Sequence, residues 1–392
     1  MYKEKIQQAI GILREKDVDM WLIFLRESET NHDPAIDLIL GTSCTWASAF
    51  IITAQGKTIA IVGSLDKANI ESKGLYLEVI GYVGSIREPL LETIDKINPN
   101  KIAINFSKND VMSDGLTHGM YLMLKEYLEG SPFADRIISS EKIISALRGR
   151  KSPAELQRIR AVCSLTEVMF DQVTSFLKAG QTEAEIAAFL VDQAKKAGVE
   201  LAWDPGHCPS VFSGPETAGA HFGPTERKTE KGHIMNIDFG IRKNDFCSDM
   251  QRTWYFLREG EKEIPSEVLK AFHAVRDAIQ KAAEFIKPGV EGWQVDDVAR
   301  SHITSLGYEG YPHALGHQIG RKAHDGAGLL CPRWERYGTL PFEKVEEGQV
   351  YTLEPRVTCQ GHGIATMEEV IVVTKDGCEF LSHPQKDLWL IK

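Results

Sequence analysis

Hydrophobic and polar positions along the chain alternate between two periods. Lys3 to Lys16 places its apolar residues at helical spacing and predicts an amphipathic helix, followed by the continuous apolar strand Met20–Leu25. Ala49–Thr53 and Thr58–Val62 read as strands flanking Ala54-Gln-Gly-Lys57, a hairpin signal. Ile86 to Ile97 reads as a helix and Lys101 to Phe106 as a strand. This first stretch is therefore a small α/β domain, and it holds no catalytic constellation.

A boundary is expected near Arg148-Gly-Arg-Lys151, dividing residues 1–147 from 148–392. Directly after it, Ser152-Pro-Ala-Glu155 combines an N-cap serine, a first-turn proline and a glutamate placed to complete a capping box. The helix it opens is expected to close at Gly180. Thr182-Glu-Ala-Glu185 repeats the signature, with Gly198 as its stop. A second helix pair is expected over Ser266–Lys287 and Trp293–Leu306, so the second domain has a duplicated layout of helix pairs, each followed by strands.

Two hairpins in that domain carry acids. His233–Gly240 and Phe246–Phe256 read as strands around the polar turn Ile241–Asp245. A hairpin centred between Lys243 and Asn244 sets Asp238 opposite Asp249, with Cβ atoms about 5 Å apart. Taken alone, this pair reads more readily as two surface aspartates. Gly348–Pro355 and Thr366–Thr374 form the second pair of strands, centred on Gly361, which sets Glu354 opposite Glu368. Both glutamates border apolar runs, and a charge beside a buried strand needs a partner. His317 lies between Gly316 and Gly320 in Gly316-His-Gln-Ile-Gly320, where glycine permits the backbone to approach closely. His324 follows, and His221 lies upstream; His207, His313 and His362 read as ordinary packing or surface histidines.

Gathering four carboxylates costs several kcal/mol in desolvation and repulsion unless cations sit among them. Asp238, Asp249, His317, Glu354 and Glu368 together therefore point to a pair of divalent metals and to hydrolysis by a metal-activated water. Oxygen-rich ligation favours manganese, with cobalt or zinc as substitutes.

The ordered series resembles the pita-bread metallopeptidases, especially the Xaa-Pro dipeptidases (prolidases) and aminopeptidases P, over residues 150 to 380. The matching elements are Ile237-Asp-Phe-Gly through Ser248-Asp-Met-Gln-Arg-Thr253, Gly316-His-Gln-Ile-Gly320 with His324 beyond it, Glu354-Pro355, Glu368 ahead of Thr374, and Ser213 through His221. The resemblance implies an α+β protein, with an N-terminal α/β creatinase-type domain for shielding and dimerisation and a C-terminal pita-bread domain with pseudo-two-fold halves. It implies hydrolysis of the N-terminal peptide bond of short peptides, Xaa-Pro above all. Asp238 would chelate one metal, Asp249 and Glu368 would bridge, and His317 with Glu354 would complete the other. Glu354 would shuttle the proton, His324 would stabilise the oxyanion and His221 would orient the substrate. A homodimer is also implied.

Four positions depart from that pattern. Asp325 stands where a glutamate is usual, Thr366 where an arginine is common, and Gln318 and Arg356 where glycines are usual. All four are expected on the substrate side, with Arg333 or Arg336 as alternative sources of the guanidinium missing at 366. A relative acting on a non-peptide substrate (a creatinase-like hydrolase or a metal-dependent lyase) is the first alternative. A non-catalytic binding protein is the second.

Composition narrows the partners. The 392-residue chain carries a formal net charge of −10 with 26% charged residues and no sustained basic run, which argues against nucleic acid or an anionic membrane as partner. Seven cysteines without a Cys-x-x-Cys spacing fit reduced thiols. Cys247 is expected to share a face with Asp249. With a charged start, Met1-Tyr-Lys-Glu-Lys-Ile, and no long apolar run, the expectation is a cytoplasmic protein.

Overall fold

The computed structural model describes residues 1–216 and 223–392, in two units, Met1–Arg148 and Gly149–Lys392. No helix among the described residues is long and apolar enough to cross a membrane. The chain mixes helices and sheets throughout, as an α+β protein does.

In the first unit β1 (Met20–Leu25), β2 (Ser48–Thr53), β3 (Thr58–Gly63), β4 (Glu78–Tyr82), β5 (Ile102–Ile104) and β6 (Ile137–Ser139) form one sheet in the order β4-β3-β2-β1-β5-β6. The apolar run of β1 is continuous because both faces of the sheet are covered. Trp21, Ile23 and Leu25 pack with Ile6, Ile10 and Leu13 of the helix Tyr2–Glu15. Met20, Leu22 and Phe24 face the other way, onto Leu90, Ile94, Met120 and Leu124. Each such side chain contributes about 1.5–3 kcal/mol by leaving water.

The second unit opens with the helices Pro153–Phe176 and Glu183–Lys196, and both form the capping boxes their sequences announce, at Ser152/Glu155 and Thr182/Glu185. The first helix ends at Phe176, earlier than the Gly180 stop expected from sequence. Gln181 accounts for the difference: its amide donates to the Phe176 carbonyl at 3.3 Å and accepts from the Lys178 N–H at 2.7 Å. A side chain thereby satisfies the helix end.

Next come β7 (Glu200–Leu201), β8 (Ser210–Ser213), β9 (Ile234–Phe239), β10 (Ile241–Lys243), β11 (Phe246–Cys247) and β12 (Met250–Phe256). After the helices Ser266–Phe285 and Gly292–Ser305 follow β13 (Gly316–His317), β14 (Leu329–Leu330), β15 (Val350–Leu353), β16 (Arg356–Cys359), β17 (Gly363–Thr366), β18 (Glu369–Val373), β19 (Cys378–Phe380) and β20 (Trp389–Ile391). The main sheets run β20-β12-β9-β8 and β15-β18-β19. Val268, Ala271, Val275, Ala278 and Ala282 recur at helical spacing and pack with Val295, Ala299 and Ile303 against Tyr255, Leu353, Val357 and Ile371. That shared core fixes the strands that carry or flank the acids.

The acid-bearing hairpins differ in how far their registers follow the sequence. Leu353 pairs with Glu369 and Arg356 with Thr366, which carries Glu354 opposite Glu368, as a centre at Gly361 requires. In the other hairpin Asp238 pairs with Gln251, not with a position level with Asp249. The turn decides this. Asn244 and Asp245 both have positive φ, 51° and 70°, the signature of a two-residue hairpin turn. The centre moves to between those two residues, and every pairing slides by two. A two-residue slide preserves the face, so Asp249 becomes the diagonal neighbour of Asp238.

Candidate metal centre

Three backbone approaches bring the acids together. Gln251 on β12 forms a bridge to Glu368, its N–H donating to the Glu368 carbonyl at 3.4 Å and its own carbonyl accepting from the Glu368 N–H at 3.2 Å. Since Gln251 also pairs with Asp238, the two acid hairpins lie edge to edge. On the far side, the Glu354 N–H donates to the Leu315 carbonyl at 2.8 Å, and Gln318 bridges to Tyr351. The His317 strand therefore runs along β15. A Cβ on Gly316 would overlap the Thr352 carbonyl oxygen, so only glycine admits this approach. Gly240 plays the same part opposite Asp249, where a Cβ would overlap the Ser248 carbonyl.

The result is a chamber of about 200 Å³ lined by Asp238, Asp249, His317, Glu354 and Glu368 together with Trp203, His207, Ser210, Ala323 and His324. His317 Nε2 lies 3.7 Å from Asp249 Oδ2, 3.6 Å from Glu354 Oε1 and 3.8 Å from Glu368 Oε1. Its Nδ1 sits 3.2 Å from the Gln318 carbonyl. A carbonyl only accepts, so Nδ1 carries the proton and the Nε2 lone pair of the neutral ring faces the acids.

These separations are too long for hydrogen bonds. They suit donor atoms that would share a cation. One donor atom each from Asp249, His317 and Glu368 fall within 4.8 Å of one another. Asp238 Oδ1 and Glu368 Oε1 are buried and have no hydrogen-bond partner. Buried carboxylate oxygens without donors are costly unless a cation offsets their charge, so the side chains present fit a divalent metal.

Electrostatics agree. Burial pushes the Asp238 carboxyl from 3.8 up to about 7. Burial, then the charges of Glu368, Asp238 and Glu354, hold Asp249 well above the usual carboxylate range. Glu354 and Glu368 are raised by burial first and by neighbouring acids second. For Glu354 the Arg356 guanidinium pulls the other way.

A second cavity of about 320 Å³ adjoins the first through the shared residues His317, His324 and Glu354. Phe212, Pro312, Ala314, Leu329 and Ile364 give it apolar walls, and Gln251, His313, Tyr337, Arg356 and Thr366 are its polar positions. His324 packs edge-on to His317 with ring centroids 4.1 Å apart.

Several sequence readings change here. His207 and His313, read as bland, line the inner and outer cavities. His362 keeps that reading, buried with Nδ1 2.7 Å from the Gly232 carbonyl. His221 lies outside the described residues. Thr366 and Arg356 do face the outer cavity, whereas Gln318 and Asp325 are buried in the scaffold. The Asp325 carboxylate accepts from the Arg321 N–H at 2.6 Å, and the Gln318 amide donates to the Tyr351 hydroxyl at 3.2 Å. Arg333 stacks over Trp293 at 4.1 Å, and Arg336 donates to the Pro312 carbonyl at 2.7 Å. Neither lines either cavity. Nor does Cys247, whose strand ends before Asp249 and whose thiol is pushed up to about 12 by burial.

Sequence reasoning missed Gln251 and Thr352. Gln251 Nε2 donates to Glu368 Oε2 at 3.0 Å, and its Oε1 accepts from Thr366 Oγ1 at 3.1 Å. Thr352 also hydrogen-bonds Glu368. Both hold the Glu368 carboxylate in place, and nothing local in the sequence marks either for that role.

Comparison with known proteins places this geometry. An uncharacterized peptidase of Staphylococcus haemolyticus is 29% identical over 341 residues, covering 86% of this chain and 88% of its own. One of Staphylococcus saprophyticus is 30% identical over 342 residues with the same coverage. Among solved structures, an Xaa-Pro dipeptidase from Bacillus anthracis is similar at a TM-score of 0.75 and 23% identity over 100% of both chains. An X-Pro aminopeptidase from Thermotoga maritima follows at 0.71 and 23%, covering 98% of this chain and 99% of its own. At these identities the structures establish the fold, that of the pita-bread enzymes. The model of metallopeptidase family M24 matches residues 157–375, the span that holds every acid of the inner chamber, and this chain belongs to that family.

Proposed function

We propose that the protein is a dinuclear metal-dependent exopeptidase that cleaves the N-terminal bond of short peptides, with Xaa-Pro the preferred sequence. The observation that carries this reading is the convergence of Asp238, Asp249, His317, Glu354 and Glu368 on one chamber, with two buried carboxylate oxygens left without donors. The five would hold two divalent ions, manganese first given the oxygen-rich set. Bound there, such ions supply Lewis acidity toward the scissile carbonyl and make water nucleophilic at neutral pH.

The remaining work falls to the chain's own side chains. Glu354 lies between the inner and outer cavities and is suited to take the proton of the attacking water and return it to the leaving amine. His324, at the same junction, donates to the carbonyl oxygen as its charge grows. Gln251 and Thr352 hold Glu368 in one rotamer, so its position is set before substrate arrives. His221 is proposed to orient the substrate on the leaving-group side. The apolar walls of the outer cavity suit a proline ring. A homodimer acting in the cytoplasm belongs to the same proposal.

The test is hydrolysis by the manganese-loaded protein of Xaa-Pro dipeptides, other dipeptides and longer peptides, with metal content measured in parallel. Two ions per chain and preferential cleavage of Xaa-Pro bonds are expected. Asp249→Asn should lose one ion and nearly all hydrolysis; if it keeps both ions and full rate, the assignment is wrong. Thr366 and Arg356 in the outer cavity favour a second reading, a non-peptide substrate, which turnover of no peptide in the panel would support.

A further inference from the structure

We propose that Arg300, paired with the buried Asp296, is a positioning residue for the metal centre: it fixes His317 and Glu354, and with them one of the two ions, while the other ion does not depend on it. This rests on the dinuclear reading above.

Asp296 and Arg300 lie one turn apart on the helix Gly292–Ser305. Arg300 Nε donates to Asp296 Oδ2 at 2.7 Å and Nη2 donates to Oδ1 at 2.9 Å. The pair serves residues 311–315, the stretch that leads into β13 and His317. That stretch belongs to no strand, so its carbonyls lack ladder partners, and a carbonyl withdrawn from water needs a donor. Here the donors are guanidinium groups. Arg300 Nη1 donates to the Tyr311 carbonyl at 2.6 Å, and Nη2 donates to the His313 carbonyl at 2.9 Å. Arg336 Nη2 supplies the carbonyl between them, that of Pro312, at 2.7 Å. The Asp296 carboxylate accepts from the Leu315 N–H at 3.0 Å and from the Tyr311 hydroxyl at 3.4 Å.

Both ligands hang on the end of this stretch. The Leu315 carbonyl accepts from the Glu354 N–H at 2.8 Å, and Gly316 and His317 follow Leu315 directly. Moving Leu315 therefore moves His317 and Glu354 together. A planar fork is what the geometry requires, because Arg300 reaches Asp296, Tyr311 and His313 at once. A lysine ammonium is a point charge on a flexible stem and cannot hold all three in fixed directions. The rings of Tyr311 and Trp334 lie 4.0 Å and 5.2 Å from Arg300 Cζ and keep its plane in place.

The other acids are held differently. Asp238 and Glu368 take their places from the β9–β12 pairing and the bridge to Gln251, and Asp249 directly precedes β12. Arg300 donates to none of these elements. Disturbing it should loosen the ion assigned to His317 and Glu354 and spare the ion assigned to Asp238.

The test uses the full-length protein with manganese as the probe. Arg300→Lys keeps the charge opposite Asp296 and removes the fork. In calorimetric titration the wild type should take two ions; in R300K one should bind about 10–100-fold more weakly and the other within about twofold of the wild type. Electron paramagnetic resonance should show a spin-coupled manganese pair giving way to an isolated ion. In chelator, hydrogen exchange should quicken about tenfold at the Glu354 amide and stay unchanged at the Gln251 amide. Thermal unfolding reports whether R300K folds. Arg336→Gln changes an exposed side chain, so the fold survives it, and the same ion should weaken about fivefold, the worth of one hydrogen bond. Both ions kept at wild-type affinity in R300K, or both weakened alike, overturns the proposal; if R300K does not fold, an R336Q variant that binds both ions as the wild type does overturns it equally. A wild type that takes a single ion overturns the dinuclear reading; the positioning role then stands if R300K and R336Q weaken that ion and falls if they do not. Two ions, the expected loss in R300K and no peptide cleaved by the wild type would overturn the peptidase reading and leave the positioning role standing.

Discussion

Replacing Asp238 with asparagine should stabilise the metal-free protein at alkaline pH while abolishing its metal binding. Burial raises the Asp238 carboxyl from 3.8 to about 7. Its folded-state pKa therefore lies above its unfolded one, and between these values the folded state holds the proton more tightly. The slope of stability with pH is negative wherever the folded state binds more protons. The contribution of this group is thus fully present below about pH 4 and is lost as pH rises, until the loss levels off above the folded pKa. At about 1.4 kcal/mol per unit, the three-unit gap makes the ionised carboxylate cost roughly 4 kcal/mol at pH 8 and under 2 kcal/mol at pH 5. The amide of the variant cannot ionise, so in chelator D238N should exceed the wild type by up to about 4 kcal/mol at pH 8, with a smaller gain at pH 5. Urea unfolding at both pH values measures this directly. With manganese the order should invert, because the ligand oxygen then contributes binding energy to the folded state alone. A metal-free wild type as stable at pH 8 as at pH 5, or a D238N variant weaker than wild type in chelator at pH 8, would refute the reasoning.

Three further outcomes follow from the packing. Gly316→Ala drives a Cβ into the Thr352 carbonyl; unfolding free energy should fall by roughly 1–3 kcal/mol or more, and manganese affinity should fall with it as His317 is displaced. Gln251→Ala removes the 3.0 Å hydrogen bond that orients Glu368, so manganese affinity should drop about 10–100-fold while circular dichroism stays unchanged. Glu369→Ala strands Arg252, which is 2% exposed; urea unfolding should register a loss of about 3–5 kcal/mol, larger than for the exposed pair Arg160–Glu379.

The hairpin centred on Gly361 was legible because its turn is glycine-rich and its strands are strongly apolar on either side, so the register had one choice. The hairpin of Asp238 was misread by two positions. Its polar turn offered several centres, and the left-handed backbone at Asn244 and Asp245 selected among them. Gln251 was illegible for a different reason. Its partner Glu368 lies on a strand pair far along the chain, and only the edge-to-edge meeting of the two hairpins makes it a positioning residue.

The chain's own order of residues determined what can be decided over a few neighbours: the capping boxes at Ser152 and Thr182, the glycine at 316, and a donor set of four acids and a histidine too costly to gather without cations. The tertiary structure decided which side chains share a space. It buried Gln318 and Asp325 in the scaffold, stacked Arg333 and Arg336 on tryptophans, and left Arg356 facing the cavity. Caps and turns are local equilibria of the backbone, whereas the direction a side chain faces depends on long-range strand pairing that no short stretch of sequence contains.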